Sequence, residues 1–197
     1  MYKLLGRATS GNVQKVIFLL KEINAAYERV DYGRQFENTT TPEYLAINPT
    51  QKVPTLVDGD LTIWESHTIL RYVAAKEKST LIPTDIGART QVERWMDWLL
   101  AALNSAYLGG FRDAKKTEAE RAPDTVKNLV TELAILEKQL GKTPWVAGAE
   151  FSLADIALGP IVKRCVAFPF DMPATPNISA WLAKLAERPA FVAATAA

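Results

Sequence analysis

The sequence predicts a small α/β domain followed by an all-helical domain. The first third of the chain alternates short apolar runs with segments of helical periodicity, whereas the chain after residue 88 shows helical periodicity only. Between the two parts, residues 77–88 (EKSTLIPTDIGA) carry the polar residues and proline that are typical of a linker. The predicted domains are residues 1–78 and residues 86–197.

Apolar runs and turn residues predict the order β-α-β-α-β-β-α for the first domain. Residues 2–5 and 27–32 read as strands, and residues 41–49, which begin with Thr-Pro, predict a short helix. Residues 53–64 predict a hairpin with an Asp-Gly turn, because these residues tolerate the positive φ of a tight turn. A further helix is expected from residue 65 onward.

The predicted helices are placed by apolar residues that recur on one face. In the first helix these residues are Val13, Val16, Ile17 and Leu20, and the charged residues off that face are Lys15, Lys21 and Glu22. In the second domain one stripe consists of Val92, Trp95, Met96, Leu99 and Leu103. A second consists of Val126, Leu129, Val130, Leu133, Leu136 and Leu140. Ser152 followed by Asp155 predicts a capping box at the start of a later helix.

Composition argues against several classes of function. The chain has 23 basic and 22 acidic residues, so neither nucleic acid nor an anionic membrane is expected as a partner. No apolar run reaches the ~18 residues of a membrane span, and the first residues lack a signal-peptide core, so the cytoplasm is the expected location. A single cysteine excludes an intrachain disulfide framework, and one histidine with one cysteine argues against a zinc site; no metal is expected.

Two dipeptides at the ends of the predicted hairpin could contact a peptide ligand. Val53-Pro54 stands where a strand begins, and a cis proline there would leave backbone groups free to pair with an extended peptide. The alternative is that Pro54 only marks an edge strand. Glu65-Ser66 stands at a helix start, where free N–H groups favour a carboxylate and Glu65 could pair with an ammonium group. Ordinary capping by Ser66 is the alternative here.

Ser10, the first residue of the stretch SGNVQKV, has two possible roles. As a helix cap, its hydroxyl would accept a hydrogen bond from the third amide of the helix. As a catalytic group, it would instead donate its O–H to an anion at the helix N-terminus. A thiolate fits this position, because the pKa of a thiol falls below about 8.5 there. Thr9 and Asn12 could make the same donation.

The only histidine and the only cysteine are less suited to catalysis. His67 has no triad partner in the sequence and lies just inside a predicted helix, so we expect a structural or partner-facing role. Cys165 lies in a predicted helix among apolar residues, and we expect a buried small hydrophobe rather than a reactive thiol.

Six motifs in order along the whole chain resemble the cytosolic glutathione S-transferase family, in its bacterial and plant branches that use a serine or asparagine near the first helix. The motifs are SGNVQKV, NPTQKVPTLVDGD, ESHTILRYVA, RWMDW, FSLADIAL and ERPAF. The resemblance implies a thioredoxin-like domain that binds glutathione as co-substrate. It also implies a helical domain that forms the electrophile site, and a homodimer.

Carried onto this sequence, the resemblance implies that Ser10 holds the glutathione thiolate, with Asn12 and Thr9 as rivals for the role. Val53 would pair by its backbone with the cysteinyl part of glutathione, beside a cis Pro54.

The resemblance further implies that Glu65 and Ser66 bind the γ-glutamyl ammonium and carboxylate, and that Lys52 approaches the glycyl carboxylate. Plant-type relatives often carry a His-Lys pair before the second helix. Residues 38–41 (NTTT) have no charge here, which leaves Lys52 alone in that role.

The electrophile site has several candidates. Tyr107, Phe111 and Arg112 lie near the end of the first long helix of the second domain, and Lys163-Arg164 is a second candidate. The alternative is that these residues are core aromatics and solvated charges.

The function implied is conjugation of the glutathione thiolate to small, largely apolar electrophiles. Two alternatives use the same chain differently. One is a glutathione-dependent peroxidase or disulfide reductase, and the other is a non-catalytic binding or scaffold protein. A mechanism through a protein mixed disulfide is not expected, since Ser10 stands where the thiol-exchange branches carry cysteine.

Overall fold

A computed structural model describes all 197 residues and divides them into two units. The first unit contains residues 1–82 and 188–197, and the second contains residues 83–187. The sequence-based domain bounds of 1–78 and 86–197 stay a prediction. The structure differs from them in grouping the last ten residues with the first unit.

The elements follow the predicted order. The first unit contains β1 (Tyr2–Leu5), α1 (Gly11–Glu22), β2 (Tyr27–Val30), α2 (Pro42–Ile47), β3 (Thr55–Asp58), β4 (Leu61–Trp64) and α3 (Ser66–Lys76). The second contains α4 (Ile86–Trp98), α5 (Asn104–Asp113), α6 (Thr125–Leu140), α7 (Leu153–Val166) and α8 (Pro176–Ala186), with a π-helical segment at Leu99–Leu103. The last helix, α9 (Pro189–Ala194), returns to the first unit. The predicted fold class is confirmed: a thioredoxin-like domain with a mixed sheet, followed by a helical domain.

The four strands form one mixed sheet in the order β2-β1-β3-β4. β1 pairs in parallel with β2 and antiparallel with β3, and β3 and β4 form the predicted hairpin. In this register Thr55, the first residue of β3, lies opposite both Leu5 and Trp64, the last residues of β1 and β4. The segments that follow β1 and β4 and the segment that precedes β3 therefore leave the sheet at the same edge.

Helix α1 packs against α3 and α9, and its predicted apolar face is buried. The placement of Lys15 off that face is wrong, because the side chain is only 1% exposed. It lies between α1 and α3, where its ammonium group forms a hydrogen bond with the ring of His67. Pairing with a polar group is the usual condition under which a lysine is buried.

Helix α9 packs on α1 through an aromatic contact and an ion pair. The rings of Phe18 and Phe191 lie 5.3 Å apart, and Arg188 forms an ion pair with Glu22. These contacts explain why the last residues belong with the first unit, although sequence reasoning assigned them to the helical domain.

The second unit is built from the predicted apolar stripes. Val92, Met96, Leu99 and Leu103 are buried, whereas Trp95 from the same stripe is only half-buried. The capping box at Ser152 is confirmed, since the carboxylate of Asp155 accepts from the Ser152 N–H at 3.0 Å. The same carboxylate accepts the indole N–H of Trp181 at 2.9 Å, which joins α7 to α8.

Candidate functional site

The edge of the sheet at Leu5, Thr55 and Trp64 brings together the three segments that carry the predicted glutathione-binding residues. The close packing depends on Gly6, which follows β1. A Cβ atom on Gly6 would lie 2.5 Å from a methyl group of Val13 and 3.3 Å from the Cβ of Val53. The absence of a side chain at Gly6 therefore lets the segment before α1 approach the segment before β3.

Ser10 lies at the N-cap of α1 and is 8% exposed. Its backbone carbonyl accepts the first helical hydrogen bond, from Gln14 N–H at 2.9 Å, but its hydroxyl makes no capping bond. The capping role that the sequence left open is therefore not used. The hydroxyl remains available as a donor at a helix end whose dipole favours negative charge.

The two rival donors flank Ser10 but are more exposed. Thr9 precedes Ser10 in the loop, and Asn12 lies in the first turn of α1. Ser10 is the most buried of the three, so a hydrogen bond from its hydroxyl to a ligand would be the least weakened by water.

The Val53-Pro54 peptide bond is cis, as the resemblance implied. Val53 makes no backbone hydrogen bond within the chain, although its neighbours are fixed. The carbonyl of Lys52 accepts from the Tyr44 hydroxyl at 2.6 Å and from the Asn48 amide at 2.9 Å. The unpaired peptide groups of Val53 can accept an added peptide strand.

Tyr44 and Asn48 are functional residues that sequence reasoning missed. Both also bond the hydroxyl of Thr55, at 2.9 Å and 2.8 Å, so they tie α2 to the start of β3. Burial raises the pKa of Tyr44, which keeps its hydroxyl protonated as a donor. The sequence itself shows only a tyrosine four residues before an Asn-Pro pair, which does not reveal these hydrogen bonds.

Glu65 and Ser66 lie at the start of α3, directly after β4. Glu65 is the N-cap residue, with a φ of 67° in the left-handed region, and its side chain is exposed and makes no cap bond. Ser66 is the first helical residue and is buried. The first N–H groups of an α-helix have no acceptor within the helix, so this turn offers donors to a carboxylate beside an exposed acidic side chain.

Lys15 and His67 form a buried pair beneath these two helix starts. Both side chains are 1% exposed, and Lys15 Nζ lies 3.1 Å from His67 Nε2. His67 thus has the structural environment that was expected for it. Burial lowers the pKa of Lys15 to about 7, and the nearby charge of Glu65 opposes that shift.

Cys165 is fully buried in α7. Burial raises the pKa of its thiol to about 12, so the thiolate is absent at neutral pH. The prediction of an unreactive, buried small residue is confirmed.

The electrophile-site candidates lie in the second unit. Tyr107 is 8% exposed and its ring stacks on Phe168 at 6.1 Å and lies 6.2 Å from Phe111. Arg112 is exposed at the end of α5. The second candidate pair, Lys163-Arg164, lies in the last turn of α7. The aromatic candidates belong to one cluster, and Tyr107 is its most buried member.

No helix combines the length and the apolar composition that are needed to cross a bilayer. No group of three or more His, Cys, Asp or Glu side chains is arranged to hold a metal ion.

Comparison with known proteins gives matches over nearly the whole chain. Residues 1–75 match the family model described as glutathione S-transferase, N-terminal domain, and residues 118–184 match its C-terminal domain. The glutathione S-transferase GstB of Escherichia coli K12 is 34% identical, over 96% of this chain and 95% of that protein. Glutathione S-transferase 4 of Zea mays is 33% identical, over 95% of this chain and 89% of that protein. The solved structures include a theta class glutathione S-transferase from Xanthomonas axonopodis pv. citri with glutathione bound. It superposes on this chain with a TM-score of 0.91 and 32% sequence identity, and the match covers 100% of this chain and 97% of that one.

Proposed function

Because the chain belongs to the glutathione S-transferase family, and is a transferase with glutathione as its co-substrate, we propose that Ser10 is the residue that stabilises the glutathione thiolate. The Ser10 hydroxyl donates a hydrogen bond to the sulfur at the start of α1. The helix dipole adds to this stabilisation, and together they lower the thiol pKa below about 8.5.

The chemical step needs little more from the protein. The thiol proton leaves to solvent, the thiolate attacks an electrophilic carbon, and the new S–C bond forms as the leaving group departs or the electron pair moves into the acceptor. The protein contributes by holding the two reactants together and by stabilising the charge on sulfur before attack.

The rest of glutathione is bound by the segments that share the sheet edge with Ser10. The peptide groups of Val53 pair with the cysteinyl part of the ligand, in the manner of an added strand. The γ-glutamyl carboxylate accepts from the first turn of α3 at Ser66, and its ammonium group pairs with Glu65. Lys52 approaches the glycyl carboxylate.

The observation that carries this proposal is the register in which Leu5 and Trp64 both lie opposite Thr55. This register puts the residues after β1, before β3 and after β4 at one edge of the sheet, which supports the binding of one tripeptide by all three segments. A scaffold protein would need none of these groups, so their presence together favours a working site.

For the second substrate we propose small, largely apolar electrophiles, with Tyr107, Phe111 and Arg112 contributing to their site. Such chemistry is suited to detoxification. A cytoplasmic location fits it, since glutathione is kept reduced there. We also propose a homodimer, because the edge strand β4 exposes two large apolar side chains, with Leu61 47% and Trp64 39% exposed. Light scattering of the purified protein tests the dimer.

The experiment that tests the function is ultraviolet difference absorbance of the protein with glutathione, titrated over pH. A thiolate band at neutral pH that moves to higher pH in Ser10→Ala supports the proposal. A band that the substitution leaves unchanged would transfer the donor role to Asn12 or Thr9. Absence of a band in folded wild-type protein would overturn the proposed site. Assays with an aryl halide and with a hydroperoxide then separate conjugation from peroxide reduction.

A further inference from the structure

The proposed function does not use the most unusual charged group of the first unit. Lys15 and His67 are each 1% exposed, and the Nζ–Nε2 distance is 3.1 Å. A buried lysine is normally paired with a carboxylate. Lys15 is instead hydrogen-bonded to the imidazole ring of His67, which carries no negative charge. While it is protonated, an ammonium group held in this way has no anion hydrogen-bonded to it that would cancel its field.

The position of the pair relates it to both ends of the glutathione site. Lys15 is five residues after Ser10 on the same helix, which corresponds to about 7.5 Å along the axis. His67 follows Ser66 in the first turn of α3. A charge buried at this depth acts on groups about 10 Å away more strongly than a charge in water does.

We propose that the protonated Lys15–His67 pair is a buried cation that stabilises the glutathione thiolate bound at Ser10. The inference rests on the proposed function, because it takes the thiol to lie at the start of α1. When the thiol ionises, its proton leaves to solvent and the pair keeps its own proton. The pair acts through the electrostatic field and does not touch the sulfur.

Arg7, in the loop that precedes α1, is a second cation near Ser10, and every Lys15 variant keeps it. On α3, Glu65 is acidic and Arg71 lies further along the helix. At the opposite end of α1, Glu22 is paired with Arg188, which precedes α9, and α9 itself has no ionisable side chain. Gln14, beside Lys15, donates to the carbonyl of Ala197 at the chain terminus.

The pair adds a pH dependence that a purely structural contact would lack. Since burial brings the pKa of Lys15 to about 7, its charge is present below that pH and is lost above it. By linkage, a thiolate nearby makes the pair hold its proton more tightly, and the protonated pair makes the thiol more acidic. The titrations of the two groups are therefore coupled. As the pH rises and Lys15 loses its proton, the thiol becomes less acidic, so the thiolate band should rise over a wider pH range than a single one-proton curve.

The test is the pH titration of the thiolate band of bound glutathione in wild type, Lys15→Met, Lys15→Arg and the control Lys21→Met, which removes an exposed lysine of the same helix. We expect the thiol pKa to rise by about one unit in Lys15→Met, from a charge about 10 Å away at an effective dielectric constant of about 20. Lys15→Arg keeps a permanent charge, so it should retain the low thiol pKa. Both Lys15 variants should show one-proton curves, and Lys21→Met should match wild type.

The possible outcomes separate this inference from the function on which it rests. A wild-type thiolate band with an unchanged thiol pKa in folded Lys15→Met would overturn the inference alone. Absence of the band in wild type would overturn the proposed site as well. If Lys15→Met does not fold, the curve of Lys15→Arg decides: a one-proton curve that is narrower than the wild-type curve supports the coupling, and a curve of the same width as wild type contradicts it.

Discussion

The hydroxyl of Tyr44 donates to the carbonyl of Lys52 at 2.6 Å, two residues before Pro54. Since a phenol has one proton, the hydroxyl of Thr55, 2.9 Å away, must donate to Tyr44 in turn. Asn48 closes the network by donating to both Lys52 and Thr55. This arrangement fixes the segment that presents Val53 to the ligand, although none of its three side chains is proposed to touch glutathione.

Tyr44→Phe tests this positioning role. The variant keeps the ring but removes the donor to Lys52, so we expect a destabilisation of about 1 kcal/mol and a several-fold weaker affinity for glutathione. Calorimetric titration and urea unfolding measure the two effects. Tyr27→Phe, on the edge strand β2, is the control. An affinity equal to that of wild type would show that Asn48 alone holds the segment.

Ser10→Ala is expected to lower kcat by roughly a hundredfold, the lower end of the range of about 10²–10³ seen when one donor to a developing oxyanion is removed. The affinity for S-methylglutathione, which has no ionisable thiol, should change little, because the hydroxyl acts on the sulfur charge. Steady-state kinetics and calorimetry separate the two effects. If kcat falls by this factor in Asn12→Ala or Thr9→Ala and does not fall in Ser10→Ala, the thiolate-stabilising role belongs to that neighbour.

Glu65→Gln and Ser66→Ala should each weaken glutathione binding by about tenfold, because each removes a charge-assisted contact to the γ-glutamyl group. The measurement is calorimetry at constant salt. Glu43→Gln, an exposed acidic residue in the first turn of α2, is the matched control and should bind like wild type. If both site variants keep the wild-type affinity, the γ-glutamyl group does not bind at α3.

The elements were predictable because each is specified locally. Residues such as Val13 and Leu129 recur at helical spacing, and the Asp-Gly pair defines the hairpin turn. The register that lines up Leu5, Thr55 and Trp64 was not predictable, since it depends on pairing between strands that are far apart in sequence. The motif resemblance supplied that arrangement where periodicity could not.

The residues missed or misplaced share one physical cause. Lys15 was assigned outside the apolar face because its type is polar, yet a single partner on another helix, His67, lets it be buried. Tyr44 and Asn48 act through hydrogen bonds to residues that lie several positions away. Such contacts leave no periodic signal, so only the folded structure reveals them.

Cys165 should not react with a thiol reagent at pH 8 in the native protein. Its thiol is fully buried and its pKa is about 12, so both access and ionisation are lacking. In denaturant, one thiol per chain should react at once. The native rate should follow the rate of unfolding, and fast labelling of the folded protein would contradict the burial of α7.

Lys15 should also make the stability of the protein depend on pH. Its pKa is about 7 in the folded state and near 10.5 in the unfolded chain, so the unfolded chain binds more protons between those values. Stability contributed by this group therefore rises with pH from about 7 to about 10 and is lost again as the pH falls.

Lys15→Met removes this dependence, because methionine has similar length and carries no proton. The free energy of unfolding of the variant minus that of wild type should be largest at pH 7 and should decrease steadily towards pH 10, measured by urea unfolding at each pH. Lys21→Met should show a constant difference, since its lysine is exposed in both states. A difference for Lys15→Met that is also constant over this range would mean that Lys15 keeps its proton in the folded protein up to the pH at which the unfolded chain loses it. The buried pair would then be a permanent cation, and the one-proton thiolate curve would belong to wild type as well.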